Sequence, residues 1–111
     1  MDIERRHSPR FSFIASGELR EEKTGTRLAT RVSEISKTGC YLDMMNPLPG
    51  GTPFRLSIAA GGEVFQARAK IIYAVEHIGA GVLFEEIDSG SAPILEHWLA
   101  EAGGKYESAG Q

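Results

Sequence analysis

Apolar residues recur at every second position in six separate stretches of this chain, and that period admits little except β-strands. In FSFIASGEL, positions 11, 13, 15, 17 and 19 carry Phe, Phe, Ala, Gly and Leu, while Ser12, Ser16 and Glu18 take the other side. Successive side chains of a strand point to opposite faces, so the alternation marks a half-buried strand. Leu28, Thr30 and Val32 alternate with Arg27, Arg31 and Ser33 in a second strand, and Cys40, Leu42 and Met44 with Tyr41, Asp43 and Met45 in a third. Phe54, Leu56 and Ile58 alternate with Arg55 and Ser57 in a fourth. Phe65, Ala67, Ala69, Ile71, Tyr73 and Val75 share one face of a long fifth strand, opposite Gln66, Arg68 and Lys70. Ile78, Ala80, Val82 and Phe84 mark the sixth.

Turn chemistry separates these stretches: EEKTGT at 21–26, SKTG at 36–39, NPLPGGTP at 46–53, Ala60-Gly61-Gly62 and Glu76-His77. Beyond IDSG the period becomes helical. Ser91 is placed to cap a helix through its side-chain oxygen, Pro93 suits the first turn, and Ile94, Leu95, Trp98, Leu99 and Ala102 form a stripe. Gly103-Gly104 is expected to end the helix and leave 103–111 as a disordered tail. The expected fold is therefore mostly all-β: a six-stranded antiparallel barrel plus one C-terminal helix over residues 11–102, with the helix on the sheet or plugging an open end. Closure removes exposed strand edges. Residues 1–10 are expected to be a flexible arm.

At 111 residues the chain suits one domain. It carries 12 Lys+Arg against 15 Asp+Glu, for a net charge of −3, which argues against gripping DNA, RNA or any long polyanion. No run approaches the ~18 apolar residues of a membrane helix, and MDIERRHS lacks the apolar segment of a signal peptide. Cys40 is the single cysteine, so no intrachain disulfide can form, and a cytoplasmic location is expected. Its alternation with Leu42 and Met44 reads as a buried small hydrophobe, not a nucleophile. His7, His77 and His97 have no metal-ligand spacing, and no nucleophile elbow, Walker loop or dinucleotide glycine fingerprint is present. Gly79-Ala80-Gly81, inside a strand, reads as a bend or close packing. Neither an enzyme, a cofactor nor a metal site is indicated.

Binding chemistry is concentrated in two places. ERRHSPRF at 4–11 packs Arg5, Arg6 and Arg10 just before the first strand, in a segment that Pro9 biases toward extended structure. Guanidinium forks bind phosphate oxygens or the O6/N7 edge of guanine bidentately, and they stack on bases. In the turn after the second strand, Glu34-Ile35-Ser36-Lys37-Thr38-Gly39 supplies a carboxylate, a hydroxyl and a glycine within six residues.

In this order, Arg6-His-Ser-Pro-Arg10 and Glu34-Ile-Ser36-Lys-Thr-Gly39 resemble the RxxxR and [D/N]xSxxG motifs of the PilZ domain family, receptors for cyclic di-GMP. GAGVLFEEI at 79–87 is similar to the last strand of that family, and the resemblance spans residues 4 to about 102. It implies a six-stranded barrel with the arginines ahead of the first strand and the second motif between strands two and three. It also implies roles. Arg6 and Arg10 contact guanine edges and phosphates, and Arg5 adds phosphate attraction. Ser36 donates its hydroxyl to the ligand, Gly39 permits the turn and close approach, and Glu34 orients the site. Glu34 departs from the family's Asp or Asn; its extra methylene reaches further and costs more to order. Apart from the resemblance, outward Arg68 or Lys70 on the long strand is read as a further cation facing the same ligand.

The implied function is a non-enzymatic cyclic di-GMP receptor whose arm closes over the dinucleotide and changes a surface read by a protein partner. It would act as a monomer or a ligand-dependent dimer. A PilZ-like module that binds only protein is the alternative that Glu34 keeps open.

Overall fold

The computed structural model describes residues 9–110, with side chains to residue 103. Six strands follow one another: β1 Phe11–Glu21, β2 Arg27–Ile35, β3 Gly39–Asp43, β4 Pro53–Ala60, β5 Glu63–Val75 and β6 Gly79–Ile87. They close in the order β1-β2-β3-β6-β5-β4, every neighbouring pair antiparallel, as the sequence led us to expect. A helix, α1 Ala92–Gly110, follows.

The inward faces fill the barrel. Leu19, Val32, Ile35, Leu42, Phe54, Ile58, Phe65 and Ile71 are fully buried, each large side chain contributing about 1.5–3 kcal/mol. Ala67, Ala69 and Ala80 complete the interior where strands approach closely. Cys40 is buried, and burial pushes its thiol far above the ordinary value, in keeping with an inert core residue.

Four register shifts bend the strands: Ser12/Ala15 in β1–β2, Val32/Glu34 in β2–β3, and Arg68/Ala69 and Ile71/Tyr73 in β5–β6. Such irregularities allow a small barrel to close, and they break the strict period of two. Across the Val32/Glu34 shift, both Val32 and Ile35 point inward, although the sequence put Ile35 in a turn. Past the Ile71/Tyr73 shift, Tyr73 and Val75 leave the core face to which alternation assigned them and are exposed, as is Ile78. Tyr73 instead covers Gly81 on the outside, and Tyr41 covers Gly79; a Cβ at Gly81 would meet the Tyr73 ring at 2.4 Å. Gly79-Ala80-Gly81 is thus close packing beneath two tyrosine rings 6.4 Å apart.

The helix seats Leu95 and Trp98 against the beginnings of β1 and β5. Trp98 lies 5.0 Å from the Phe13 ring and 6.2 Å from Phe65, and its indole N–H donates to Glu63 Oε1 at 3.1 Å. Two expectations are corrected here. The Ser91 side-chain oxygen does not cap the helix; it accepts from the Gln66 N–H at 2.8 Å and ties the helix start to β5. Nor does the helix stop at Gly103-Gly104, since it continues to Gly110 where a disordered tail was expected. Glycine stops a helix by turning left-handed, and among the described glycines only Gly25, Gly51, Gly61 and Gly62 have positive φ. Gly103 keeps helical geometry as the helix passes the Phe11 ring.

Candidate nucleotide-binding site

The site grows from the start of β1. Phe11 pairs with Ile35 and Ser12 with Glu34, so the end of β2 lies beside the point where the N-terminal segment enters the barrel. Ile35 turns inward and anchors the strand, which leaves Glu34 on the outer face. Arg10 precedes β1 by one residue, and its Nε lies 3.6 Å from Glu34 Oε1. With both side chains more than a third exposed, this ion pair contributes at most about 1 kcal/mol to stability. It orients the guanidinium. One residue from each motif has met its counterpart, which the linear sequence separates by most of a hairpin. Arg5 and Arg6 lie outside the described residues.

Arg10 and Glu34 stand on the wall of a cavity of about 650 Å³. Phe11, Phe13 and Ile14 of β1 form another wall, and Trp98, Glu101 and Ala102 of α1 close the far side. The volume is in the range of small-molecule sites, and the lining mixes three apolar β1 side chains with the charged Arg10, Glu34 and Glu101. Sequence reasoning missed the contribution of α1. Trp98 and Ala102 belong to the helical stripe, which reads as pure core; Trp98 is indeed buried in the core, and both residues also line the cavity. Glu101 adds a second carboxylate to the cavity lining.

The second motif is held by bonds within its own turn. Ser36 is buried, and its Oγ accepts from the Thr38 and Gly39 N–H groups at 3.2 and 3.1 Å and donates to the Gly39 carbonyl at 3.2 Å. The Ser36 N–H donates to the same carbonyl at 2.8 Å, and Phe84 N–H to Thr38 O at 2.8 Å. Gly39 has a parallel reason: a Cβ there would sit 2.0 Å from the Val82 carbonyl oxygen. The close approach at Gly39 is between β3 and β6, and neither Ser36 nor Gly39 lines the cavity. Together they fix the turn that ends β2 and so hold Glu34 in register.

Arg68 and Lys70 do not join this site. Arg68 Nε is 3.0 Å from Glu22 Oε2 in the β1–β2 turn, and Lys70 Nζ is 3.6 Å from Glu85. Tyr41, the cross-strand partner of Glu34, has its hydroxyl pKa raised, first by burial and then by Tyr73, Asp43 and Glu34. His97 lies between Glu63 and Glu101 on the exposed helix face, at 3.9 and 3.6 Å. Among the described residues no cluster of His, Cys, Asp or Glu is arranged to hold a metal, and no helix is long and apolar enough to cross a membrane.

Comparison with known proteins agrees with this architecture. The PilZ domain model matches residues 4–101. No curated protein matches the chain. Among solved structures, the Bacillus subtilis inhibitor of motility MotI/DgrA superposes with a TM-score of 0.74 at 16% identity, over 93% of this chain and 52% of that one. The chain therefore spans about half the length of that protein. The PilZ domain of CeSA from a cellulose-synthesizing bacterium gives a TM-score of 0.63 at 20% identity, covering 88% and 98% of the two chains. The PilZ domain of YcgR from Escherichia coli, solved with c-di-GMP, gives 0.62 at 16% identity, covering 95% and 94%. At these identities the likeness speaks for the fold.

Proposed function

The chain belongs to the PilZ domain family, and from that premise we propose that it is a non-enzymatic receptor for cyclic di-GMP. The observation that carries the reading is the meeting of Arg10 with Glu34 on the wall of the 650 Å³ cavity. Arg10 belongs to the arginine motif and Glu34 opens the second motif, and their contact supports reading the two signatures as parts of one site. In this reading Arg6 and Arg10 supply guanidinium forks to the phosphates and guanine edges, with Arg5 adding charge. Glu34 holds Arg10 at the right angle; Ser36 and Gly39 maintain the turn behind it. Ordering the arm over the ligand takes free energy, which sets the expected affinity near micromolar, about −8 kcal/mol. The closed arm then presents a changed surface to a protein partner.

Trp98, the single tryptophan, lines the cavity and reports on it directly. Cyclic di-GMP is expected to change its emission saturably while GTP does not. Arg10→Ala is expected to weaken the response by about 1–3 kcal/mol, the scale of a bidentate base contact. An unchanged titration curve for Arg10→Ala would overturn the site assignment.

A further inference from the structure

Strand register places arginines side by side on the outside of the barrel, away from the cavity. Arg20 of β1 pairs directly with Arg27 of β2 and with Arg55 of β4, and Arg55 pairs with Arg68 of β5. The result is one transverse row, Arg27–Arg20–Arg55–Arg68, over four neighbouring strands. Strands lie about 4.8 Å apart, and like charges directly opposite one another oppose pairing. A chain with a net charge of −3 has no general surplus of cations that would put them there.

Two members of the row already hold carboxylates. Arg55 grips Asp88 with both forks, Nη1 to Oδ1 at 3.2 Å and Nη2 to Oδ2 at 2.6 Å, and Arg68 holds Glu22. Among the described residues, no acid lies within ion-pair distance of Arg20 or Arg27. Beside them runs a groove of about 350 Å³, whose second wall is the parallel row Glu18, Ser57 and Gln66. Gln66 donates to Ser57 there at 3.3 Å.

We infer that this groove is a docking surface for an acidic segment of a partner protein, with carboxylates on Arg20 and Arg27. Charge complementarity carries the choice. The row binds carboxylates in the structure itself, at Arg55 through both Nη atoms and at Arg68 through Nε, which shows that its guanidinium groups hold aspartate and glutamate. Alternate side chains of an extended peptide lie about 7 Å apart, within reach of two guanidinium groups on adjacent strands. Glu18 in the groove and the acids on Arg55 and Arg68 break up the positive field that a phosphate backbone requires, which disfavours a nucleic acid. Ser57 and Gln66 offer hydrogen bonds to the peptide between its charges. The inference stands independently of nucleotide binding, since the groove and the cavity share no residue.

The test uses the full chain and a fluorescein-labelled (Glu-Ser)4 peptide, with (Gln-Ser)4 and a hexauridine RNA as controls. Anisotropy is expected to rise saturably for the acidic peptide at about 50 mM salt and to weaken at about 300 mM. The double substitution Arg20→Gln with Arg27→Gln is expected to weaken binding about tenfold, while Arg10→Ala leaves it unchanged. The same double variant is expected to melt no lower than the wild type at low salt, because it relieves a like-charge pair; that keeps lost binding distinct from lost folding. The inference is overturned if the acidic peptide does not bind, or if the double variant binds it as the wild type does. It is equally overturned if the RNA binds as tightly and is lost by the same substitutions, since the surface would then be a phosphate grip.

Discussion

Gly39→Ala separates a structural demand from a ligand-binding one, because the motif glycine is ordinarily read as room for a ligand. The added Cβ would sit 2.0 Å from the Val82 carbonyl oxygen, where ordinary contact begins near 3.4 Å. Both atoms are held by backbone pairing between Gly39 and Leu83, so β3 and β6 must part by about 1.4 Å or the β2–β3 turn must rotate. Either movement strains the bonds meeting there: Ser36 N–H and Oγ to Gly39 O, Gly39 N–H to Ser36 Oγ, and Phe84 N–H to Thr38 O. Losing two or three such bonds at about 1 kcal/mol each costs about 2–3 kcal/mol. For a domain of this size that lowers Tm by roughly 10–15 °C. Thermal unfolding followed by circular dichroism reads the shift, with urea titration as the second measure. A variant that melts within about 2 °C of the wild type yet loses nucleotide binding would refute the reasoning and return Gly39 to the ligand.

Other outcomes follow from the same geometry. Trp98→Ala removes a buried indole packed on Phe13 and Phe65 and leaves Glu63 without its donor, so urea unfolding should show a loss of about 3–5 kcal/mol. Cys40 should resist a thiol reagent in the native protein and react once urea unfolds it. Because folding raises the pKa of Cys40 above its ordinary 9.0, its contribution is complete below about pH 9 and declines as pH rises past it; Cys40→Ala should remove that part of the alkaline slope in urea midpoints. Glu34→Asp restores the family's shorter acid beside Arg10 and should tighten cyclic di-GMP binding or leave it unchanged, as read by Trp98 fluorescence. A large loss would mean that the longer carboxylate makes a contact of its own.

The six strands and their antiparallel closure were legible because period-two alternation survives in most of each strand, and short glycine-rich turns force neighbours together. Legibility failed where the backbone departs from that period. Ile35, Tyr73 and Val75 all lie beyond register shifts, and a bulge leaves no mark that counting alternate residues can detect. The helix end failed for a different reason: glycine terminates a helix only if it turns left-handed, and Gly103 does not. At the site, the identity of the motifs was readable but the work of each residue was not. Arg10 and Glu34 meet, as expected of a paired cation and acid. Ser36 and Gly39 look like ligand contacts in sequence; the structure adds a turn that Ser36 bonds from within and, at Gly39, a close approach of Val82 more than forty positions downstream, which no local pattern announces. Trp98 reads as core from its helical spacing, and only the fold brings it into one cavity lining with Arg10 and Glu34.

The central claim is that this barrel receives cyclic di-GMP, and isothermal titration calorimetry of the full chain with cyclic di-GMP, with GTP as the control, tests it most directly. The account predicts saturable heat for cyclic di-GMP alone, at a near-micromolar Kd, about −8 kcal/mol, with a stoichiometry that separates a single ligand from a stacked pair. Absence of heat, together with an unmoved Tm at millimolar ligand, would contradict it and leave a PilZ barrel that acts through protein contacts alone.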